Sequence, residues 1–367
     1  MTEQELSAYI QAIRPADEAA MEAARRRQAQ LAKPPGSLGQ LEEISIRLAG
    51  VTGQVCPAMG KCRVAVFAAD NGVVAEGVSC TPPAVTMQQA VNMTFRKTGM
   101  SAMAAAFGDD VSVVDVGIDG DVPPVGVLDR KVRRGTGDIA REDAMTRQQV
   151  LDAMAAGMEQ AARARADGVT ALGIGEMGIG NTTTSAAVLA ALTGADIEAV
   201  TGRGGGLTDE GFLRKKEVLR QALALHRPDG NDVIGVLAGV GGLDLAAMTG
   251  AFLGCAHERV PAAVDGFISI AAALCAVRLC PAVRDVLFLS HDSYEVGYRI
   301  AAEALGLQPC LRLGMRLGEG SGCPLLFRVL EGACGVMRGM ATFGEASIED
   351  SYLDKIRAVD AFTVEGA

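Results

Sequence analysis

The chain has no tryptophan, and aromatic residues make up only 4% of its 367 positions. So few flat side chains argue against a stacking surface for single-stranded nucleic acid. Positive charge is also in deficit: 34 Lys and Arg against 44 Asp and Glu leave a formal net charge of −10. That balance speaks against a polyanionic partner, while leaving room for one small phosphate gripped by local amides. Metal ligands are sparse as well. The only histidines are His226, His257 and His291, and the nine cysteines are scattered, odd in number and without a C-x-x-C pair. Structural zinc spacing is missing, and the thiols read as small buried hydrophobes in a reducing compartment. No long apolar run exists: GFISIAAALCAVRLCP, from Gly266, is too short for a bilayer and carries Arg278. The opening MTEQELSAYIQAIRPADEAA is acidic and polar, unlike a secretory leader. A soluble cytoplasmic protein is expected, with no nucleic acid, membrane, metal or cofactor to bind.

What is present is a large supply of core. Hydrophobic residues reach 49% and charged residues 21%, with Ala and Gly dominant, which suits helices packed tightly against a sheet with many glycine turns. Near the N-terminus, Pro15, Asp17 and Glu18 precede Arg25 to Arg27, so acids open a helix and bases close it. KPPGSLG, from Lys33, breaks that pattern before QLEEISIRLAGVTG starts another helix. Thr146 and Gln149 form a capping box ahead of Val150, Met154 and Met158 on one helical face.

Short apolar runs recur between helical stretches: VAVFAAD from Val64, VSVVDVG from Val111, VTALGIG from Val169, DVIGVLAG from Asp232 and VLFLSH from Val286. Continuously apolar strands alternating with helices predict an α/β fold with a mainly parallel sheet covered on both faces. Ligands of such sheets sit outside the carboxyl ends of the strands. ADNG, GIGEMGIGNTT, GVGG and SHDS are therefore expected to converge on one crevice.

Four segments carry chemistry. From Gly173, GIGEMGIGNTTTSAAVLAAL places four glycines in eight residues ahead of a helix. Glycines admit a ligand close to the backbone, and the helix start offers amides to an anion. It lacks both G-K-[ST] and a G-x-G-x-x-G with a suitable acid, and a tight turn capped by Asn181 or Thr182 explains it equally well. TGRGGGLTDEGFLRKK, from Thr201, sets Lys215 and Lys216 after a glycine loop, either as a phosphate clamp or as a solvated basic face. In MRLGEGSG, Glu319 stands between Gly318 and Gly320. A carboxylate in an apolar crevice titrates high and serves as a base near neutrality; the competing reading is an acid capping backbone amides. Asp265 precedes a helix and reads first as its cap. SHDSYEVGY offers Ser293 as a hydroxyl donor, and the absence of a G-x-S-x-G elbow speaks against Ser-His-Asp hydrolysis.

Together with KPPGSLGQLE at Lys33, FAADNGVVAEGVS at Phe67, AVTMQQ at Ala84 and AAVDGFI at Ala262, these segments resemble the nicotinate-nucleotide–dimethylbenzimidazole phosphoribosyltransferase family through nearly the whole chain. The chain departs from the family pattern at Asn71 for histidine, at Asp244 for glutamate, at Tyr298 for histidine and at Gln89 for methionine. The resemblance implies a Rossmann-like large domain, about residues 60–330, and a small helical domain from residues 1–59 with 331–367. It implies a homodimer with nicotinate mononucleotide and an aromatic base as substrates. Glu319 and Glu176 would be catalytic, Glu319 taking the base's N–H proton and Glu176 facing the pyridinium or the sugar hydroxyls. Gly178, Gly180, Lys215 and Ser293 would hold the phosphate, and Gln88 and Leu317 would line the aromatic pocket. Gly175, Asn181, Thr182, Gly204, Asp265, Gly318 and Gly320 complete the implied substrate contacts. The alternatives are a ribosyltransferase acting on phenols, a non-catalytic nucleotide-binding subunit on the same fold, and an NAD-dependent oxidoreductase, whose fingerprint is missing.

Overall fold

A computed structural model describes residues 1–123 and 125–354. Its centre is one sheet of six strands: β1 (Cys62–Ala69), β2 (Asp110–Gly117), β3 (Val127–Asp129), β4 (Ala171–Met177), β5 (Ala262–Val264) and β6 (Leu287–Leu289). They lie in the order β3-β2-β1-β4-β5-β6, and every pairing is parallel. That is the doubly wound order, in which the chain leaves β1 first to one side and then to the other. The switch point falls between β1 and β4, whose registers place Phe67 beside Glu176. Both strands are sealed by helices, and β4 is buried at every position, which is why it reads as an unbroken apolar run.

Four of the five expected strands form. DVIGVLAG instead becomes the helix Val233–Val240, started by Asp232, whose side chain accepts from the Gly235 amide at 3.0 Å. A fully buried helix and a fully buried strand are both apolar throughout, so periodicity cannot separate them. The strands β3 and β5 were not expected: β3 ends in an exposed Asp129 and β5 is mostly alanine, so neither shows the bulky apolar run that flags the equally short β6. The capping box at Thr146 and Gln149 forms as expected, opening the helix Arg147–Ala166.

The Ala and Gly excess is used where helices cross. Arg147–Ala166 packs along Leu243–Glu258, and a Cβ on Gly250 would come within 2.6 Å of the Met154 backbone. The chain ends meet elsewhere. Ala24, Leu31, Ala49 and Met337 form a satellite cluster, and Ala32 N–H donates to Ala341 O at 2.9 Å. The helix Cys323–Gly339 runs unbroken through residue 330, the position expected to bound the large domain, and its first half joins the main core through Cys323, Leu326 and Phe327. The first helix, Glu3–Gln11, likewise lies on the large body, with Tyr9 stacked on His257 at 4.2 Å. Residues 355–367 of the expected helical domain lie outside the described residues. Among the described residues, no helix is long and apolar enough to cross a membrane.

Candidate active site

A crevice of about 270 Å³ opens at the carboxyl ends of β4, β5 and β6. Its floor is acidic. Glu176, next to last in β4, and Glu319 are only 7% and 6% exposed, and the Glu319 N–H donates to Glu176 Oε1 at 3.3 Å. Two segments 143 residues apart in sequence are thereby joined directly. Burial pushes the Glu176 carboxyl up to about 8, with the nearby charge of Asp244 adding to the effect and the Asn181 amide opposing it. The Asn181 Nδ2 donates to Glu176 Oε2 and also to Asp244 Oδ2, the latter at 3.0 Å. Asp244 is itself raised to about 6 by burial.

Glu319 is held in an unusual backbone shape. Its φ is +63°, between Gly318 at +82° and Gly320 at +84°, so three consecutive residues adopt the left-handed region that disfavours side chains other than glycine. The flanking glycines make the turn possible, and Glu319 itself, a non-glycine residue at positive φ, carries the strain. Burial raises its carboxyl above the ordinary value, while the Met100 amide, donating to Oε2 at 3.1 Å, and the Thr98 hydroxyl pull it back. The two readings of this acid are therefore combined: Glu319 lines the crevice and also caps amides, but those of the distant helix Gly99–Phe107.

The crevice is also lined by a helix start. The helix Asn181–Thr193 starts at the crevice with Gly180 as its cap and no side-chain cap bond, so Asn181 spends its amide on the acids rather than on the turn. Thr182 lines the crevice, as do Gly178, Gly180, Gly204, Asp265, Ser293, Leu317 and Gly318. Lys215 does not line it. It is fully buried, with Nζ donating to Thr182 Oγ1 at 2.8 Å and to Gly202 O at 3.0 Å, one hydroxyl behind the surface. Burial lowers its ammonium to about 8, opposed by the charge of Glu295. Lys216 instead points outward to Glu198. The difference was legible: Lys215 shares the buried stripe of Val218, Leu219 and Ala222, the i, i+3, i+4, i+7 spacing of a core face.

Gly175, Gly320 and Gln88 stand behind the crevice or outside it. Gly175 and Gly320 pack backbone to backbone beneath Glu319. Asp265 caps no helix of its own; it accepts from the Gly320 and Gly322 amides at 3.0 and 2.7 Å and so pins the Glu319 turn. Gln88 is exposed on the helix Val85–Thr94, whereas Val85 and Gln89, one turn apart, line the crevice. Of the four loops expected to converge, GIGEMGIGNTT and SHDS reach the crevice; ADNG and GVGG form the layer behind, where the Asn71 Nδ2 donates to Ile179 O at 3.4 Å. His291, set aside above as a hydrolase histidine, lines the site too, as do Arg203, Glu295 and Arg316, which were not singled out. These three lie inside the quoted TGRGGG, SYEVG and MRLGEGSG segments, so proximity in sequence could have flagged them. The nine cysteines are all free, six of them buried; Cys80, exposed, lines the crevice. Among the described residues, no group of three or more His, Cys, Asp and Glu is arranged to hold a metal ion.

The chain is similar to known proteins over most of its length. A family model described as Phosphoribosyltransferase matches residues 13–348. The nicotinate-nucleotide–dimethylbenzimidazole phosphoribosyltransferase of Clostridium perfringens strain 13 is 46% identical over 341 residues, 93% of this chain and 94% of that protein. The protein of the same name from Geobacter metallireducens is 46% identical over 94% of this chain and 98% of its own length. A crystal structure of CobT from Thermus thermophilus superposes with a TM-score of 0.88 at 45% identity, covering 91% of this chain and all of that one.

Proposed function

Because this chain belongs to the nicotinate-nucleotide–dimethylbenzimidazole phosphoribosyltransferase family, we propose that its crevice moves the phosphoribosyl group of nicotinate mononucleotide onto a benzimidazole-type base. The product is an α-ribotide, and nicotinate is released. The observation that carries this reading is the sharing of one crevice by Glu319, Glu176 and the start of the helix Asn181–Thr193. One substrate is itself bipolar, with a phosphate at one end and a pyridinium cation at C1′. An acidic floor and an amide-rich wall match those two ends.

In this reading the phosphate lies against Thr182, the Gly204 loop and Ser293, with the Lys215 charge behind Thr182 and the helix start adding its own attraction. Glu176 faces the positive ring or the sugar hydroxyls. The aromatic base enters on the side of Val85, Gln89 and Leu317. Glu319 takes the N–H proton of that base, and its other ring nitrogen attacks C1′ from the face opposite the leaving group. The glycosidic electron pair passes to the pyridinium nitrogen, which departs neutral and needs no acid. Inversion converts a β-nucleotide to an α-ribotide. Positioned base catalysis contributes roughly 10²–10⁴-fold, and in-line placement of two bound substrates contributes further.

The test is product identification after mixing the protein with nicotinate mononucleotide and a panel of benzimidazoles and phenols. Preference for phenols would reassign the acceptor, and absence of any ribotide would refute the activity. Glu319→Gln should keep nucleotide binding and lose at least about a hundredfold in kcat; full turnover in that variant refutes the base assignment. The family resemblance further supports a homodimer working in the cytoplasm; sedimentation as a monomer at working concentration would overturn the dimer.

A further inference from the structure

The segment that carries Glu319 has little means of holding itself in shape. From Gly318 to Gly322, three residues in five are glycine, a composition with little conformational preference of its own. The backbone φ is nonetheless positive at Gly318, Glu319 and Gly320. Successive amides in such a turn form a concavity that takes up an anion. Every amide from Glu319 to Gly322 has a partner. The Ser321 N–H closes the turn onto Gly318 O at 3.0 Å, and the Glu319 N–H reaches Glu176 Oε1. The other two both go to Asp265: Gly320 donates to Oδ2 at 3.0 Å and Gly322 to Oδ1 at 2.7 Å.

Asp265 can hold that turn because it is itself fixed. It follows β5 and is buried. Its N–H donates to Ser269 Oγ at 3.2 Å, and that hydroxyl donates to Ile174 O of β4 at 2.9 Å. On the other side, Ser290 Oγ, just after β6, donates to Asp265 O at 3.2 Å and lies 3.0 Å from His291 Nδ1. The same ring nitrogen stands 3.8 Å from Asp265 Oδ1. The ends of three neighbouring strands are thus tied to one residue. The turn fits closely against them. A Cβ on Gly322 would come within 2.4 Å of both His291 Nδ1 and Ser290 Oγ, and one on Gly320 within 2.7 Å of Val64 Cγ1.

We propose that Asp265 is a positioning residue for the reaction: without touching the nucleotide, it accepts the Gly320 and Gly322 amides and so holds the left-handed turn from which Glu319 reaches the crevice. The proposal rests on the reading of Glu319 as the base. It replaces the direct substrate contact that the family resemblance implies for Asp265, because both carboxylate oxygens are already taken up by the turn. Amide-to-carboxylate bonds are charge-assisted and stronger than neutral ones, and a misplacement of about 1 Å in a reacting group costs about a hundredfold.

The experiment is a double-mutant cycle on kcat and nucleotide KM with the parent, Asp265→Asn, Glu319→Gln and the double variant. Asparagine has nearly the same shape but a single acceptor oxygen, so one of the two amides loses its partner and faces an N–H group instead. Asp265→Asn should lower kcat about 10–100-fold and leave the nucleotide KM within about twofold of the parent. In the Glu319→Gln background no base is left to aim, so the same substitution should change the residual kcat by less than about twofold. A merely structural role would lower kcat by the same factor in both backgrounds, and a direct substrate contact would raise KM in both. Either result overturns the proposal, as does a parent-like kcat in Asp265→Asn. Gly322→Ala, whose Cβ must push the Gly322 amide off Oδ1, should show the same dependence on background and serves if Asp265→Asn does not fold. Full turnover by Glu319→Gln overturns the base reading and the proposal with it.

Discussion

Glu176→Gln isolates what it takes to bury an acid at the crevice floor. In the free protein the Glu176 carboxyl titrates near 8 against an ordinary 4.5, so the folded chain keeps a proton that the unfolded chain releases. Its contribution to stability is fully present below about pH 4.5 and is lost as the pH rises through about 8. A gap of about 3.5, at ~1.4 kcal/mol for each pH unit, sets an upper bound of about 5 kcal/mol. Asp244 shares the Asn181 amide with Glu176, so removing one acid relieves the other, and about half of that bound is the expected effect. Glutamine has nearly the same shape and does not titrate. Thermal unfolding followed from pH 5 to 9 should therefore show a steeper decline in the parent, with the variant the more stable protein at pH 8.5 by about 2–3 kcal/mol. Nucleotide should reverse the trend in the parent, since a pyridinium beside Glu176 favours the carboxylate: its stabilising effect should be larger at pH 8 than at pH 5. Parallel stability curves for parent and variant would refute the reasoning, because they would mean that Glu176 is ionised in the free protein.

Three further changes test the site. Lys215→Ala should chiefly raise the nucleotide KM, by about tenfold or more for loss of a charged contact, and an unchanged KM in steady-state assays would remove Lys215 from phosphate binding. Gln89→Ala should change the relative kcat/KM among aromatic bases while Gln88→Ala, on the exposed side of the same helix, leaves it alone; equal effects would contradict the placement of the two side chains. Gly175→Ala puts a Cβ at 2.6 Å from Glu319 O and 2.8 Å from the Gly320 backbone, which should cost about 1–3 kcal/mol and displace the base. By contrast Gly335→Ala, in the helix Cys323–Gly339 with open space around it, should be neutral or stabilising by up to ~1 kcal/mol in chemical denaturation.

Much of the architecture was legible along the chain. β1, β2, β4 and β6 announce themselves as apolar runs, and the Thr146 box announces its helix, because these signals are local: side-chain periodicity and a cap three residues from its partner. The segment at Asp232 defeats the same logic, since an element buried on all sides shows no polar face by which its period could be read. β5 was hidden for a different reason. Its three residues pair between β4 and β6, but Ala-Ala-Val lacks the bulky apolar run that marks the equally short Leu-Phe-Leu of β6. In the site, the glycine motifs pointed to the right loops, yet the partners of the charged side chains did not follow from them. Asp265 could have capped its own helix and instead pins the Glu319 turn; Lys215 could have faced solvent and instead stands behind Thr182.

By itself, then, the order of residues determined an alternating α/β chain, the glycine turns at the strand ends, and the two acids set among them. Only the tertiary structure decided which acid is bonded to which amide, which lysine is buried, and that the Met100 amide meets Glu319. Local geometry is specified by neighbours within a few residues, whereas the ionisation of a buried carboxylate depends on burial and on charges and donors within a few ångströms, and most of those are brought there by segments tens to hundreds of residues away.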